Sequence, residues 1–189
     1  MFSQLRRSLT LFVFFTLLTG VVYPFVITGA AQVLFPAKAN GSLVIEDGKV
    51  RGSELIGQGF ASDRYFWPRP SAAGSGYDAD ASSGANLAPT SRKLLDRIAA
   101  DAERVKAANR TQTLPPDAVT ASASGLDPDI SPAYVLLQVR RVAKARNLAE
   151  DKVRNLIENQ VKMPVLGIFG EPRVNVFGLN RALDALAPG

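Results

Sequence analysis

Between Arg7 and Lys38 the chain carries no charged side chain for thirty consecutive residues, Ser8 to Ala37. As a helix, at about 1.5 Å per residue, that run reaches roughly 45 Å, more than the ~30 Å apolar layer of a bilayer. It predicts one membrane-spanning helix, residues 9–35, after a short N-terminal segment, residues 1–8. A cleaved secretory signal is the rival reading, because Arg6 and Arg7 form a positive start and Ala37-Lys38-Ala39 has small-x-small spacing. Length favours the anchor, since the apolar stretch of a signal is about 7–15 residues. Two basic residues before the span against Lys38 after it put the N-terminus in the cytoplasm and the residues after 36 outside, in the periplasm of a Gram-negative-type cell.

Within the span, Thr16, Gly20, Pro24 and Thr28 recur every fourth residue and line one ridge of small or kinking groups. Small residues let a neighbouring helix approach closely, which predicts a protein-facing stripe. Pro24 cannot donate to the carbonyl of Gly20, so a kink is expected there, with partner groups or threonine hydroxyls meeting the freed oxygen. Phe12, Phe15, Leu18 and Val22 form the opposite, lipid-facing side.

The remaining residues, 40–189, read as one mixed α+β or α/β domain. Leu43-Val44-Ile45 and Val50-Arg51 predict a β-hairpin turning at Asp47-Gly48. Residues 71–90 are small, polar and Gly-rich and predict a loop long enough to be functional or mobile. Leu94, Leu95, Ile98, Ala102 and Val105 share a helix face ending near Asn109, with Pro89-Thr90-Ser91 as capping chemistry. Ser131-Pro132 predict the start of a second helix, to about Arg146, that buries Val135, Val139 and Val142. A third helix carries Val153, Leu156, Ile157 and Val161. Val165–Ile168 and Val174–Val176 read as short strands, and Leu179, Leu183 and Leu186 as a closing helix.

The chain has no Cys and no His. That excludes disulfides, thiolate and imidazole chemistry, and Cys/His zinc sites. No pair among the remaining carboxylates, lysines and hydroxyls stands at a spacing that singles out a catalytic site. Of the net charge of +5, two units belong to Arg6 and Arg7, and the +3 left over is no nucleic-acid footprint.

Tyr65-Phe66-Trp67-Pro68-Arg69-Pro70 is the densest cluster. It is either a local core beneath the loop or a partner-binding patch, since Trp, Tyr and Arg dominate interface energetics. Asp78 and Asp80 read as a solvated loop, lacking the further acids, turn Gly and terminal Glu of a calcium loop. Ser83-Gly84-Ala85-Asn86 is a weak phosphate cradle without the Lys-Ser/Thr ending of a P-loop. Arg140, Arg141, Lys144 and Arg146 read as a solvated helix end favouring its own dipole, with anionic lipid or an acidic partner as the other reading.

Several blocks together carry a resemblance. After a span containing Tyr23-Pro24 come Gly52–Gln58 (GSELIGQ), Tyr65–Ala72 (YFWPRPSA), Ser83–Pro89 (SGANLAP), Pro116–Pro128 (PDAVTASASGLDP) and Gln138–Ala143 (QVRRVA). Over essentially the whole chain this resembles the KdpC family, the C subunit of the Kdp potassium-transporting ATPase. The resemblance implies a non-catalytic accessory subunit of a high-affinity, ATP-driven potassium uptake complex in the bacterial inner membrane. Its implied partners are a channel-like potassium-binding subunit, a P-type ATPase subunit and a small single-span subunit, besides membrane lipid. It implies a role in assembly and as a catalytic chaperone that raises the ATP affinity of the ATPase subunit. No cofactor is implied as tightly bound; ATP enters by family implication, and potassium is handled by the partners.

Candidate partner contacts are Gly20, Pro24, Gln58, Phe66, Trp67, Arg69, Pro70, Thr120, Ser122, Gly125, Asp127, Pro128, Gln138 and Arg141. Nucleotide-related candidates are Ser83, Gly84 and Asn86, where Ala85 departs from the family's double glycine and puts a methyl where a phosphate would approach. A domain outside the cell cannot touch cytoplasmic ATP, so any effect on ATP affinity is expected to run through the membrane partners. The domain is expected to cap the external mouth of the channel-like subunit. Two other classes stand beside this one: an independent anchored extracytoplasmic enzyme or binding domain, and a secreted domain released after Ala39.

Overall fold

The computed structural model describes residues 2–186. They form two compact units that divide between Arg51 and Gly52, later than residue 40, where the sequence puts the start of the domain.

In the first unit a helix of 33 residues, Phe2–Leu34, is long and apolar enough to cross a membrane, and none of it is buried. It comprises α1 (Phe2–Leu17), a π-helical turn (Leu18–Val22) and α2 (Tyr23–Leu34). Pro24 accounts for the turn. Its ring cannot bond back to Gly20, and the Tyr23 N–H reaches the carbonyl of Leu18, five residues back. Residues four apart overshoot a 3.6-residue turn by about 40°. A wider turn subtracts from that overshoot and keeps Thr16, Gly20, Pro24 and Thr28 nearer one line. Threonine hydroxyls do bond backbone carbonyls, but earlier in the helix: Thr10 Oγ1 donates to Arg6 O at 2.8 Å and Thr19 Oγ1 to Phe15 O at 2.7 Å. A short helix, α3 (Pro36–Ala39), and the predicted hairpin of β1 (Leu43–Glu46) and β2 (Lys49–Ser53) follow. Its turn residues Asp47 and Gly48 have φ of 52° and 71°, the paired left-handed conformation a two-residue hairpin requires.

The second unit is built on α4 (Arg92–Asn109), α5 (Pro132–Arg146), α6 (Glu150–Glu158) and α7 (Val176–Leu186). They accompany a small antiparallel sheet of β3 (Asp129–Ile130), β4 (Val161–Lys162) and β5 (Arg173–Asn175), in the order β3-β5-β4. Ile130 and Val161 both pair with Val174. Helix α5 starts as predicted: Ser131 Oγ accepts from the Tyr134 N–H at 3.1 Å and Pro132 fills the first turn. Its Tyr134, Val135, Val139 and Val142 are wholly buried in one core with Phe66, Val105, Val153, Ile157, Leu179 and Leu183. Each such side chain contributes about 1.5–3 kcal/mol.

Several sequence expectations are corrected. Leu95 faces solvent, and Ser91 occupies the N-cap of α4 without a side-chain bond. Helix α6 ends at Glu158, so Val161 lies in the sheet rather than on the helix. Val165–Ile168 is a turn, not a strand. Leu166 and Gly167 take φ of 55° and 75°, which reverses the chain and leaves a single bridge between Val165 and Phe169. Val176 opens α7 instead of extending a strand, and Leu186 is exposed. Arg141 and Arg146, read as solvated, are each only 8% exposed.

Candidate functional site

Residues 65–70 cross the second unit without joining a sheet, so their buried backbone groups need side-chain partners. Two amides supply them. Asn180 of α7 accepts the Phe66 N–H on Oδ1 at 2.8 Å and donates Nδ2 to the Phe66 carbonyl at 3.0 Å. Gln138 of α5 does the same for Trp67, at 2.7 and 3.1 Å. Each amide acts as a one-residue strand partner.

Arginines fix the same segment from α5. Arg141 donates Nη1 to the carbonyls of Asp63 (2.8 Å) and Tyr65 (3.0 Å), Nη2 to Gln138 Oε1 (2.6 Å) and Nε to Asn109 Oδ1 (3.1 Å). Its guanidinium lies 4.0 Å from the Trp67 ring centroid, and that of Arg104 lies at 5.1 Å. Burial pulls the Arg141 pKa down to about 10, against the opposing pull of Asp63. It stays charged at neutral pH and faces an electron-rich ring. Arg146 donates Nε to the Arg64 carbonyl at 2.7 Å, pairs with Asp184 and sits 4.7 Å over the Tyr65 ring.

The far end of the segment joins the Thr120–Pro128 run. Arg69 pairs with Asp127 at 2.8 Å and donates Nε to the Thr120 carbonyl at 3.1 Å. Ser71 Oγ donates to the Gly125 carbonyl at 2.6 Å, and Tyr77 OH donates to the Arg69 carbonyl at 2.6 Å. The Gly57 N–H reaches the Leu126 carbonyl at 2.8 Å, and the Val176 N–H reaches that of Pro128 at 2.9 Å. All five motif blocks therefore meet at one junction, the Ser83–Pro89 block through the bond from the Ser83 N–H to the Ser124 carbonyl. Gly125 is a glycine for two reasons: its φ is +69°, and a Cβ there would lie 2.6 Å from both Ala73 N and Ser83 O.

Of the candidate partner contacts, Phe66, Trp67, Gly125, Gln138 and Arg141 are buried in this junction. Gln58, Arg69, Pro70, Thr120, Ser122, Asp127 and Pro128 are half-buried around it. Gly20 and Pro24 belong to the exposed helix of the first unit, where a Cβ on Gly20 meets nothing within 4 Å. Of the nucleotide-related candidates, the Ser83 N–H is committed to the Ser124 carbonyl at 3.0 Å. Gly84 lies against the Ala123 backbone, and Asn86 is exposed with φ 48°.

Beside the junction lies a cleft of about 630 Å³, lined by Asp117, Asp127, Asp129, Glu171, Arg69 and Arg173 among others. Burial pushes the Asp129 carboxyl above its usual range, opposed chiefly by Arg173, whose Nε is 2.9 Å away. Among the described residues no group of three or more acidic side chains is placed to hold a metal ion. Asn180 is not among the sequence candidates, and Arg146 is read there as part of a solvated helix end. The available signal was a polar residue flanked by Leu179 and Leu183 on the apolar face of a helix.

The family model described as "KdpC: K+-transporting ATPase, c chain" matches residues 5–185. The potassium-transporting ATPase KdpC subunit of Caulobacter vibrioides (strain NA1000 / CB15N) is 54% identical over all of this chain and 96% of its own. The KdpC subunit of Nitratidesulfovibrio vulgaris (strain DSM 19637 / Miyazaki F) is also 54% identical, over all of this chain and 98% of its own. That of Methylobacterium nodulans is 52% identical over 99% of both chains.

Proposed function

Because the chain belongs to the KdpC family of K+-transporting ATPase c chains, we propose that it is a non-catalytic subunit of a bacterial potassium-transporting ATPase. It is held in the inner membrane by residues 9–35, with its folded domain in the periplasm. The observation that carries this reading is the family match across residues 5–185, which takes in both the apolar helix and the domain. The partners are a channel-like potassium-binding subunit, the ATP-hydrolysing subunit and a small single-span subunit. The domain caps the external mouth of the channel-like subunit and stabilises the assembly.

Its effect on ATP affinity is transmitted through those membrane partners. A periplasmic domain is separated from cytoplasmic nucleotide by ~30 Å of hydrocarbon, and the Ser83 N–H is spent on the Ser124 carbonyl. Such coupling is reciprocal: what raises ATP affinity also tightens this subunit's hold on the ATP-bound complex.

The chain has no cysteine of its own, so one introduced thiol reports compartment without background. In intact cells, Asp80→Cys should react with a membrane-impermeant maleimide, and Gln4→Cys only after permeabilisation. Protection of Asp80→Cys in intact cells refutes the topology. A mature chain beginning near Asn40 refutes the anchor.

A further inference from the structure

A second cleft, of about 670 Å³, opens where α4 and α5 end. Its charged lining is Arg110 from the end of α4, Arg140, Arg141 and Lys144 from α5, and Asp63. The net charge of that lining is +3, which equals everything the chain carries beyond Arg6 and Arg7, so the remaining charges balance. Neighbouring side chains do not offset it. Glu103 and Lys106 line an adjoining depression as one charge of each sign, Arg64 is a further cation, and Arg146 is paired with Asp184. The two helix ends contribute negative partial charge of about half a unit each, which leaves roughly +2.

Of these cations only Arg141 has a carboxylate, Asp63, with Nη1 to Oδ1 at 3.8 Å. Among the described residues the side chains of Arg110, Arg140 and Lys144 make no hydrogen bond, ion pair or ring contact. Arg110 also departs from a local rule. Both helices end on a left-handed residue, but α5 uses Asn147 at φ 56° and α4 uses an arginine at φ 52°. Glycine and asparagine take that conformation with least strain, and no contact of the Arg110 side chain offsets the cost within the described residues. Strain kept in this way marks a position with a use outside the fold.

The lining selects the ligand. Its apolar groups are Ala107, Ala108 and Ala145 alone, too short to grip an acyl chain or the large apolar anchor of a partner protein. The volume falls within the range of small-molecule sites, about 300–1,000 Å³. Guanidinium forks match the oxygens of a phosphate-type anion. We propose that the cleft between the ends of α4 and α5 binds a small dianionic oxyanion of phosphate type, free in solution. The site does not depend on the reading of the chain as a transporter subunit.

The test is calorimetric titration of the full chain in detergent with inorganic phosphate, at low ionic strength. Saturable binding is expected, weakening as NaCl is added. Arg110→Asn gives α4 the same ending as α5. It should lower the affinity roughly tenfold while the melting temperature holds or rises. Arg140→Gln/Lys144→Gln should remove measurable binding. Lys93→Gln, exposed in the first turn of α4, removes a charge outside the cleft and should bind phosphate as the parent does. Absence of saturable binding by the parent, or an equal loss in Lys93→Gln, overturns the site. A melting temperature that falls along with affinity in Arg110→Asn overturns it too, since Arg110 would then serve the fold. Binding only to phosphatidylglycerol vesicles assigns the cleft to lipid, and weakened co-purification of Arg140→Gln/Lys144→Gln without phosphate binding by the parent assigns it to an acidic segment; either overturns the small-ligand site.

Discussion

Replacing Gln138 by Met keeps the volume of a fully buried side chain and removes the amide that holds Trp67. Three bonds vanish: Trp67 N–H to Oε1, Nε2 to the Trp67 carbonyl, and Arg141 Nη2 to Oε1. Among the described residues the Trp67 N–H and carbonyl have no other hydrogen bond, and each buried group left unsatisfied costs about 1–3 kcal/mol, more beside a charge. The expected loss is about 3–6 kcal/mol, a large part of the 5–15 kcal/mol typical of a whole domain. Trp67 is the only tryptophan and lies 4.0 Å from the Arg141 guanidinium, so its fluorescence reports unfolding of this unit alone. With a urea slope of about 2 kcal/mol per molar, the midpoint should fall by roughly 1.5–3 M. A fall below about 0.5 M, with an unchanged slope, would falsify the view that the amide stands in for a missing strand.

Gly125→Ala meets both a left-handed backbone and two backbone atoms at 2.6 Å. It should lose about 2–4 kcal/mol, seen as a drop of roughly 6–15 °C in melting temperature, and a drop under about 2 °C contradicts the packing described. Burial, as the largest cause, raises the Tyr134 hydroxyl to about 12, and Tyr77 also lies above the ordinary 10. The unfolded chain therefore gives up these protons first, so stability is complete below pH 10 and falls as pH climbs from 10 towards 12. Urea midpoints across that range should fall less steeply for Tyr134→Phe, and parallel curves for the two proteins would count against this origin. At Gly20 an added Cβ meets nothing within 4 Å outside its own helix turn, so a loss of complex yield in Gly20→Leu points to a neighbouring helix, and an undiminished yield removes the ridge as a contact.

Helix periodicity and local turn chemistry were legible without the structure. Ser131-Pro132 announced α5, Asp47-Gly48 announced the hairpin, and valines three or four apart announced the buried face. The junction was not. Gln138 and Asn180 interrupt an apolar pattern, and a pattern cannot say that each amide faces a stretch of chain 71 or 114 residues away. The charges of Arg141 and Arg146 were plain, but their destination is a row of carbonyls in residues 63–65, which no motif spells out. The turn at Leu166-Gly167 hid inside a β-branched run because a leucine, not a second glycine, takes its first left-handed position.

The paired amides also bear on how the second unit responds to force. Phe66 is fastened to α7 and its neighbour Trp67 to α5, so sliding one helix past the other would tear adjacent links of the same short segment in different directions. Small slips are thereby blocked, and the unit resists until it yields all at once. A push on either helix is therefore expected to carry the other with it rather than slide past it.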